Sequence, residues 1–450
     1  MRKLVCIFAS IIFSLQLFGD CIANVEAHIR APRQFFHKLV EIMQAVNPDP
    51  KFQLQASFAL MPFGYPNFNG ISQTENALIC VYNIDTNTPV IIASLKISDN
   101  ATPVIEQSLQ GICKFKRKDG YLFIAYNANS NTQEYIEATE KLISDRKISS
   151  LAKIKLDRTA TKLLLKNNTN IFLNDIKSTT LKINKDSTQI NLSIDMQFER
   201  NSPTEKIVNT VRRLPLAKET AYIPQDSEIS VISKVKLPQD FPDFRKEIID
   251  SIFAQTDADK LKDMYLKNDG TFTMAINLGN NLQITSVGTT AMTQSELLEF
   301  AKENPRIKYN TNAIEVINKI GKSDDVDFME SYMTLSPNQK TYSAVVNKYA
   351  VCTTNLKSLK DVANKIKSST DEKNFPLYKY ASDNSDVVVI LNNKSIIDSL
   401  LSNIGAKIKK DVQLENTVIS ADIGLSKIRI STLIELQILK YYYSIYKSAK

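Results

Sequence analysis

The chain is poor in the residues that most often build reactive or glycine-dependent sites. Its 450 residues include no tryptophan, two histidines, five cysteines and eleven glycines. So few glycines argue against a dinucleotide-binding Rossmann unit, a P-loop enzyme and a glycine-rich β-helix, because those folds need glycine at fixed turns. The histidines, His28 and His37, lie close together near the N-terminus, and nothing in their spacing indicates a zinc site. We therefore predict no metal ligand and no cofactor.

Motifs for covalent catalysis are missing as well. A Ser-His-Asp triad would have to use one of the two histidines, and the chain has no Gly-x-Ser-x-Gly segment to present a serine. A Cys-His pair has no supporting motif. Glycoside hydrolysis by a pair of carboxylates remains an alternative, because a sequence does not give the distance between two acidic groups. The sequence favours a protein without catalytic activity, with a carboxylate-dependent hydrolase as the alternative.

Cysteine is also scarce. After the N-terminal segment the chain contains only Cys80, Cys113 and Cys352. An odd count allows at most one internal disulfide. The sequence is compatible both with a disulfide bridge between Cys80 and Cys113 and with two buried free thiols at these positions. Cys352 lies in the apolar segment "YAVCTT" and is expected to pack as a small core residue.

The first 23 residues have the layout of a secretory signal peptide. Arg2 and Lys3 precede the apolar run 4–18, and the small residues of "CIA" follow at 21–23. The run is short for a membrane span, and no later segment is apolar for 18 residues. We expect a bacterial protein that is exported to the periplasm or cell surface or secreted, and that begins near Asn24 after cleavage. An uncleaved anchor is the alternative.

Composition is that of a globular protein, with 43% hydrophobic and 23% charged residues. The net charge of +8 comes from dispersed lysines, and export makes nucleic acid a poor partner. A protein or another envelope component is the expected partner. At this length two domains are the norm.

One layout occurs twice in the chain. "SSLAKIKLDRTATKLLL" at 149–165 and "SDVVVILNNKSIIDSLL" at 385–401 each contain a strand-like run, a polar turn and a short helix. The order of the flanking elements also repeats. Paired strands come first, then a short helix, a further strand, a longer helix and a last alternating strand. In that last strand Ile190 to Phe198 alternate with polar residues, and the segment from Ile428 to Ile438 is its predicted counterpart.

We therefore predict an α+β fold of two related tandem domains, 24–214 and 222–450. Each is expected to be a mostly antiparallel sheet with helices packed on one face, because strands outnumber helices and short polar turns join them. This plan favours a binding or structural module of the envelope. A carrier that encloses a lipid-like ligand between sheet and helices is a further alternative.

Two aromatic segments are the candidate partner-binding residues. The loop "MPFGYPNFNG" at 61–70 carries Phe63, Tyr65 and Phe68, and the C-terminal segment carries Tyr441, Tyr442 and Tyr443. Aromatic side chains held in a stiff loop can form the centre of an interface. The same loop could instead fold back over the local core, and the C-terminal segment could be a helix docked on the sheet.

Overall fold

A computed structural model describes most of the chain in two compact units. The residues that it describes are 23–46, 61–86, 88–127, 132–143, 148–164, 174–186, 188–236, 267–279, 282–308, 315–323, 325–368, 375–402, 414–424 and 426–448. Unit 1 comprises Met1–Lys206 together with Ser426–Lys450, and unit 2 comprises Ile207–Leu425.

Strands are the main elements of both units. In chain order the strands are β1 Val25–Ile29, β2 Ala77–Tyr82, β3 Val90–Lys96, β4 Cys113–Lys118, β5 Tyr121–Tyr126, β6 Ala152–Asp157, β7 Ile176–Lys185, β8 Gln189–Phe198, β9 Arg212–Arg213, β10 Ile229–Ser233, β11 Val235–Lys236, β12 Asn268–Asn277, β13 Gln283–Thr290, β14 Arg306–Lys308, β15 Glu315–Ser323, β16 Val326–Met333, β17 Lys340–Val346, β18 Tyr349–Thr353, β19 Val387–Leu391, β20 Thr417–Gly424 and β21 Lys427–Glu435.

The helices are shorter and lie between groups of strands. They are α1 Pro32–Val46, α2 Thr102–Ser108, α3 Thr132–Ile143, α4 Arg158–Leu164, α5 Pro203–Thr210, α6 Gln294–Glu303, α7 Leu356–Lys367, α8 Tyr378–Ala381, α9 Asn393–Ser402 and α10 Leu436–Ser448. Single 3-10 turns occur at Met61–Phe63 and Lys218–Ala221.

Both main sheets are antiparallel at every described pairing. In unit 1 the strand order is β4-β5-β3-β2-β1-β6-β7-β8-β21. In unit 2 the order is β14-β15-β16-β17-β18-β13-β12-β10-β19-β20. The short strands β9 and β11 pair separately. This arrangement confirms the predicted α+β class with a mostly antiparallel sheet.

The two sheets share one strand order over most of their width. The series β4-β5-β3-β2-β1-β6-β7 of unit 1 corresponds to β17-β18-β13-β12-β10-β19-β20 of unit 2. The register corresponds too, as shown by the rows of directly opposed residues Val81–Val25–Leu156–Thr179 and Ile276–Ile229–Leu391–Thr417. Because one slip in register exchanges the two faces of a strand, corresponding rows place corresponding side chains on the same face.

The repeated strand–turn–helix layout has the same local cause in both units. β6 ends at Asp157, whose carboxylate accepts a hydrogen bond from the backbone N–H of Ala160 at 2.8 Å. β19 is followed by Asn392, whose side-chain oxygen accepts from the backbone N–H of Ser395 at 3.2 Å. Asp and Asn at this position satisfy a free donor of the first helical turn. Each therefore starts the short helix, α4 or α9, directly after the strand.

Helices pack on both faces of the unit 1 sheet, which corrects the prediction of a single helical face. Side chains alternate along β2. Leu78, Cys80 and Tyr82 belong to a core beneath α3, whereas Ala77 belongs to a core with residues of α2. We call the side of β2 that carries Cys80 face A and the opposite side face B. Because successive side chains of a strand point to opposite faces, this apolar strand buries both.

The structure differs from the predicted bounds of two strands and one domain. The further strand expected before the longer helix of the second half, in "YSAVVNKYAVCTTN", is instead the hairpin of β17 and β18, with Asn347 in the left-handed conformation at φ 55°. The strand expected to reach Ile438 ends at Glu435, where α10 begins. β21 pairs with β8 and belongs to unit 1, so unit 2 ends at Leu425 and is shorter than the predicted domain 222–450. A pairing between strands so distant in sequence leaves no local signal.

Candidate functional site

The aromatic loop folds back onto helix α1. Phe68 is fully buried, and its ring stacks on Phe36 with 5.4 Å between centroids. Phe36 also stacks on Phe63 at 5.7 Å, and Tyr65 meets Phe68 edge-on at 5.8 Å. Arg33 of α1 fixes the loop by donating to the carbonyl oxygen of Asn67 at 2.9 Å. Phe68 is therefore not available to a partner, whereas Phe63 and Tyr65 are half-buried and stay predicted contact residues.

The C-terminal aromatic segment is helical and lies against the same helix. Residues of α10 contact α1, and Ile438 is buried. Tyr441 and Tyr442 are half-buried, and burial raises the pKa of Tyr442. The side chain of Tyr443 lies outside the described part of the structure. Both predicted segments thus lie against α1, and each has half-buried aromatic side chains.

The three cysteines are free thiols. Burial raises the pKa of Cys80 to about 12 and that of Cys113 to about 11. Burial also raises the pKa of Cys352. A thiol is nucleophilic as its thiolate, so raised pKa values disfavour a nucleophilic role for buried Cys80 and for half-buried Cys113 and Cys352.

The two histidines have separate structural surroundings. His28 of β1 is buried, and its Nε2 lies 3.3 Å from a carboxylate oxygen of Glu26, whose other oxygen accepts from Lys155 at 2.8 Å. The ring of His37 meets Phe68 edge-on at 5.0 Å. Among the described residues no group of three or more His, Cys, Asp or Glu side chains could hold a metal ion.

An extended apolar surface on unit 2 is the feature that sequence reasoning missed. Across β13, β12, β10, β19 and β20, most side chains on face B are aliphatic or aromatic and half-buried, with Ser286, Ser233 and Thr417 between or beside them. Two neighbouring rows form its centre, Ile284–Ile276–Ile229–Leu391 and Met274–Val231–Val389–Ile419. Phe272 and Val387 extend it, with 37% of Phe272 exposed. We call these ten residues the apolar face.

The opposite side of the same strands is ordinary core. Ile232, Val287, Val388 and Ile390 are at most 2% exposed and pack in one cluster that also contains residues of α7. In the part of the chain that the structure describes, no core cluster includes a residue of the apolar face. The sheet of unit 2 is therefore closely packed on face A and partly exposed on face B.

Of the two corresponding rows of unit 1, one is partly closed by core packing, and the other, Ile79–Ala27–Ile154–Leu181, is half-buried as in unit 2. Val25, Val81 and Leu156 are at most 6% exposed and form a cluster with Ala160 of α4. At these three positions unit 1 is more deeply buried than unit 2, where the equivalent Ile229, Ile276 and Leu391 are half-buried. The run "DVVVIL" signals a strand that is apolar on both faces, which normally indicates burial on both. Composition alone could not show that one face is only half-covered.

No helix in the described residues is both long and apolar enough to cross a membrane. No protein-family model matches the chain, and no curated protein matches it significantly.

Similar solved structures include crystal forms of a protein called TP0453. Form IV is 8% identical with a TM-score of 0.25, and the match covers 41% of this chain and 79% of that one. Form III is 6% identical with a TM-score of 0.26, covering 44% and 87%. Form I is 7% identical with a TM-score of 0.23, covering 44% and 86%. Similarity at this level supports no conclusion about fold or function.

Proposed function

We propose that this protein is an exported, non-enzymatic binding protein of the bacterial envelope, and that its apolar face takes the acyl chain of a lipid. The observation that carries the proposal is the half-buried state of two adjacent apolar rows in the middle of a sheet. Contiguous exposed apolar surface is uncommon on soluble proteins and marks binding sites for apolar partners.

The chemistry of the apolar face favours an acyl chain over a folded protein. Its ten side chains are aliphatic except for Phe272 and the thioether of Met274, so none offers a strong hydrogen-bonding group. Interfaces between proteins combine an apolar centre with tyrosine, arginine and polar rim groups. A hydrocarbon chain needs no hydrogen bonds, and methionine adapts to irregular apolar shapes.

The size of the apolar face also suits a chain molecule. Five neighbouring strands spaced about 4.8 Å apart give a width of roughly 19 Å. Each buried methylene contributes about 0.8 kcal/mol. A chain of ten or more carbons lying across the strands can therefore bind without a polar anchor.

We also propose that the protein is exported and that its two units arose by duplication. Export is supported by the signal-peptide layout and by the position of β1, which begins at Val25, directly after the predicted cleavage point. Duplication is supported by the shared strand order and by the Asp157 and Asn392 caps. A second copy of a stable sheet can change one face for binding while the first keeps its core.

A fluorescent fatty acid such as cis-parinaric acid tests the proposal on the full mature chain. We expect saturable binding, and we expect Met274→Glu to weaken it at least tenfold, because a carboxylate in the apolar face would have to lose its hydration. Met274→Leu keeps an apolar side chain and should bind normally. The matched control is Leu335→Glu, since Leu335 is 68% exposed and lies in the same unit away from the apolar face.

Circular dichroism and urea unfolding establish that each variant is folded. The proposal fails if the wild-type chain does not bind the probe, or if Met274→Glu and Leu335→Glu bind it equally well. Mass spectrometry of organic extracts from protein purified from its own envelope would identify the lipid class. Loss of 23 residues from the mature protein would support the export step separately.

A further inference from the structure

Face A of unit 1 carries a charged surface where unit 2 has core. Two adjacent rows of directly opposed residues cross β1, β6, β7, β8 and β21. The first row is His28–Lys153–Lys182–Ser193–Ser431, and the second is Glu26–Lys155–Thr180–Asp195–Arg429. We call these ten residues the polar shelf. It belongs to unit 1, whereas the apolar face belongs to unit 2, and it is independent of the function proposed for that face.

The corresponding positions of unit 2 are apolar. By register, His28 corresponds to Ile232, Lys153 to Val388 and Lys155 to Ile390. Those three unit 2 residues are at most 2% exposed and lie in the main core. In unit 1 the Lys155 side chain is 37% exposed, and Lys153 is half-buried. The sheet itself does not require lysine at these positions, so the charges need another explanation.

Ion pairs neutralise only part of the polar shelf. Asp195 accepts from Lys182 at 2.9 Å and from Arg429 at 2.6 Å, and Glu26 accepts from Lys155 at 2.8 Å. Burial alone would raise the pKa of Asp195, but the hydrogen bonds from Arg429 and Lys182 outweigh it and lower the pKa. Among the ten residues of the polar shelf there are four lysine and arginine side chains and two carboxylates, so the cations outnumber the acids by two.

The first row concentrates the excess. Lys153 stands directly opposite Lys182 on the neighbouring strand, an arrangement of like charges that destabilises a sheet. Ser193 and Ser431 continue the same row with hydroxyl donors. In the next row along the strands, Asp157 and Lys427 cancel each other in charge, and Asp157 is already engaged by Asn24 and by the α4 cap. The first row therefore contains hydrogen-bond donors and no carboxylate.

We propose that the polar shelf binds a phosphate group between Lys153 and Lys182, with Ser193 as a further donor. A phosphate monoester carries a charge of about −1.5 to −2 at neutral pH, which matches the excess on the polar shelf. Its oxygens accept several hydrogen bonds at once, and bonds between charged partners are the strong ones. An anion at this place would also remove the repulsion between the two lysines.

Isothermal titration of the full mature chain with inorganic phosphate tests the proposal. A parallel arm uses vesicles of phosphatidylcholine with and without phosphatidic acid, which carries a phosphate monoester. Binding of inorganic phosphate identifies a free-phosphate site. Binding confined to vesicles with phosphatidic acid identifies a lipid head group. Binding in neither arm overturns the proposal.

The variants separate this site from general attraction to a basic protein. Lys153→Gln should weaken binding about tenfold, the effect expected from one charge-assisted hydrogen bond, and Lys153→Arg should retain it. Lys206→Gln is the matched control, because Lys206 is an exposed lysine of unit 1 on α5. Equal losses in Lys153→Gln and Lys206→Gln would overturn the assignment. Lys153 takes part in no described ion pair, so its replacement should leave the fold intact.

Discussion

Truncation of Phe68 should destabilise unit 1 strongly, because the loop at 61–70 is part of the core and not a free surface. Phe68 is fully buried, and its ring contacts Phe36, His37 and Tyr65. Replacing a core phenylalanine by alanine costs about 3–5 kcal/mol, from lost transfer energy and the cavity left behind. Phe63 is half-buried and has one described ring contact, with Phe36, so Phe63→Ala should cost only about 1 kcal/mol.

The backbone at this position adds a second, independent expectation. Phe68 has φ of 51°, in the left-handed region, where a residue other than glycine costs roughly 1–2 kcal/mol. Phe68→Gly loses the same ring as Phe68→Ala but relieves this strain. The glycine variant should therefore be the more stable of the two by about 1 kcal/mol.

Urea unfolding followed by circular dichroism measures these differences, with tyrosine emission as a second probe because the chain has no tryptophan. The two units need not unfold together. Hydrogen exchange of β1 and β2 amides then assigns the affected transition to unit 1. The reasoning is refuted if Phe68→Ala is no more destabilising than Phe63→Ala, or if Phe68→Ala is more stable than Phe68→Gly.

Further substitutions test local features of both units. Asp157→Ala and Asn392→Ala should each cost about 1 kcal/mol through loss of a helix cap, measured by urea unfolding, and equal stability to wild type would contradict the capping role. Asp195→Asn should lower stability at neutral pH but not below the folded pKa. The carboxyl has a lowered folded pKa, so its contribution is present above the unfolded value of about 3.9 and disappears as pH falls through the folded one; a constant difference between pH 7 and pH 2 would argue against this. Cys80 and Cys113 should resist iodoacetamide at pH 8 in the folded chain and react in 6 M guanidinium, as mass spectrometry can follow, because their pKa values of about 12 and 11 leave little thiolate.

Local sequence signals predicted the order of elements well. The alternation from Ile190 to Phe198 predicted β8. The sequence also places Leu356, Leu359, Val362 and Ile366 at the spacing of one helix face, and they lie in α7, where the last three are buried. Such patterns work because burial on one side of a strand or helix imposes a period on the residues. The repeated layout at 149–165 and 385–401 is visible for the same reason.

The candidate sites lay beyond these signals. Residues of the polar shelf, such as Lys153, Asp195 and Arg429, are far apart in the chain and become neighbours through strand pairing. In isolation each is an ordinary polar residue on an alternating strand. The aromatic residues showed the opposite case, because Phe68 is conspicuous in sequence and yet buried in the structure.

The sequence by itself determined the class of the protein, the succession of strands and helices, and the double occurrence of one plan, because each depends on residues near one another in the chain. Only the tertiary structure decided that β21 joins β8, that helices cover both faces of unit 1, and that equivalent sheet positions are core in one unit and surface in the other. Those outcomes depend on which distant strands exchange hydrogen bonds and on which face is left to water, and neither is encoded in a local period.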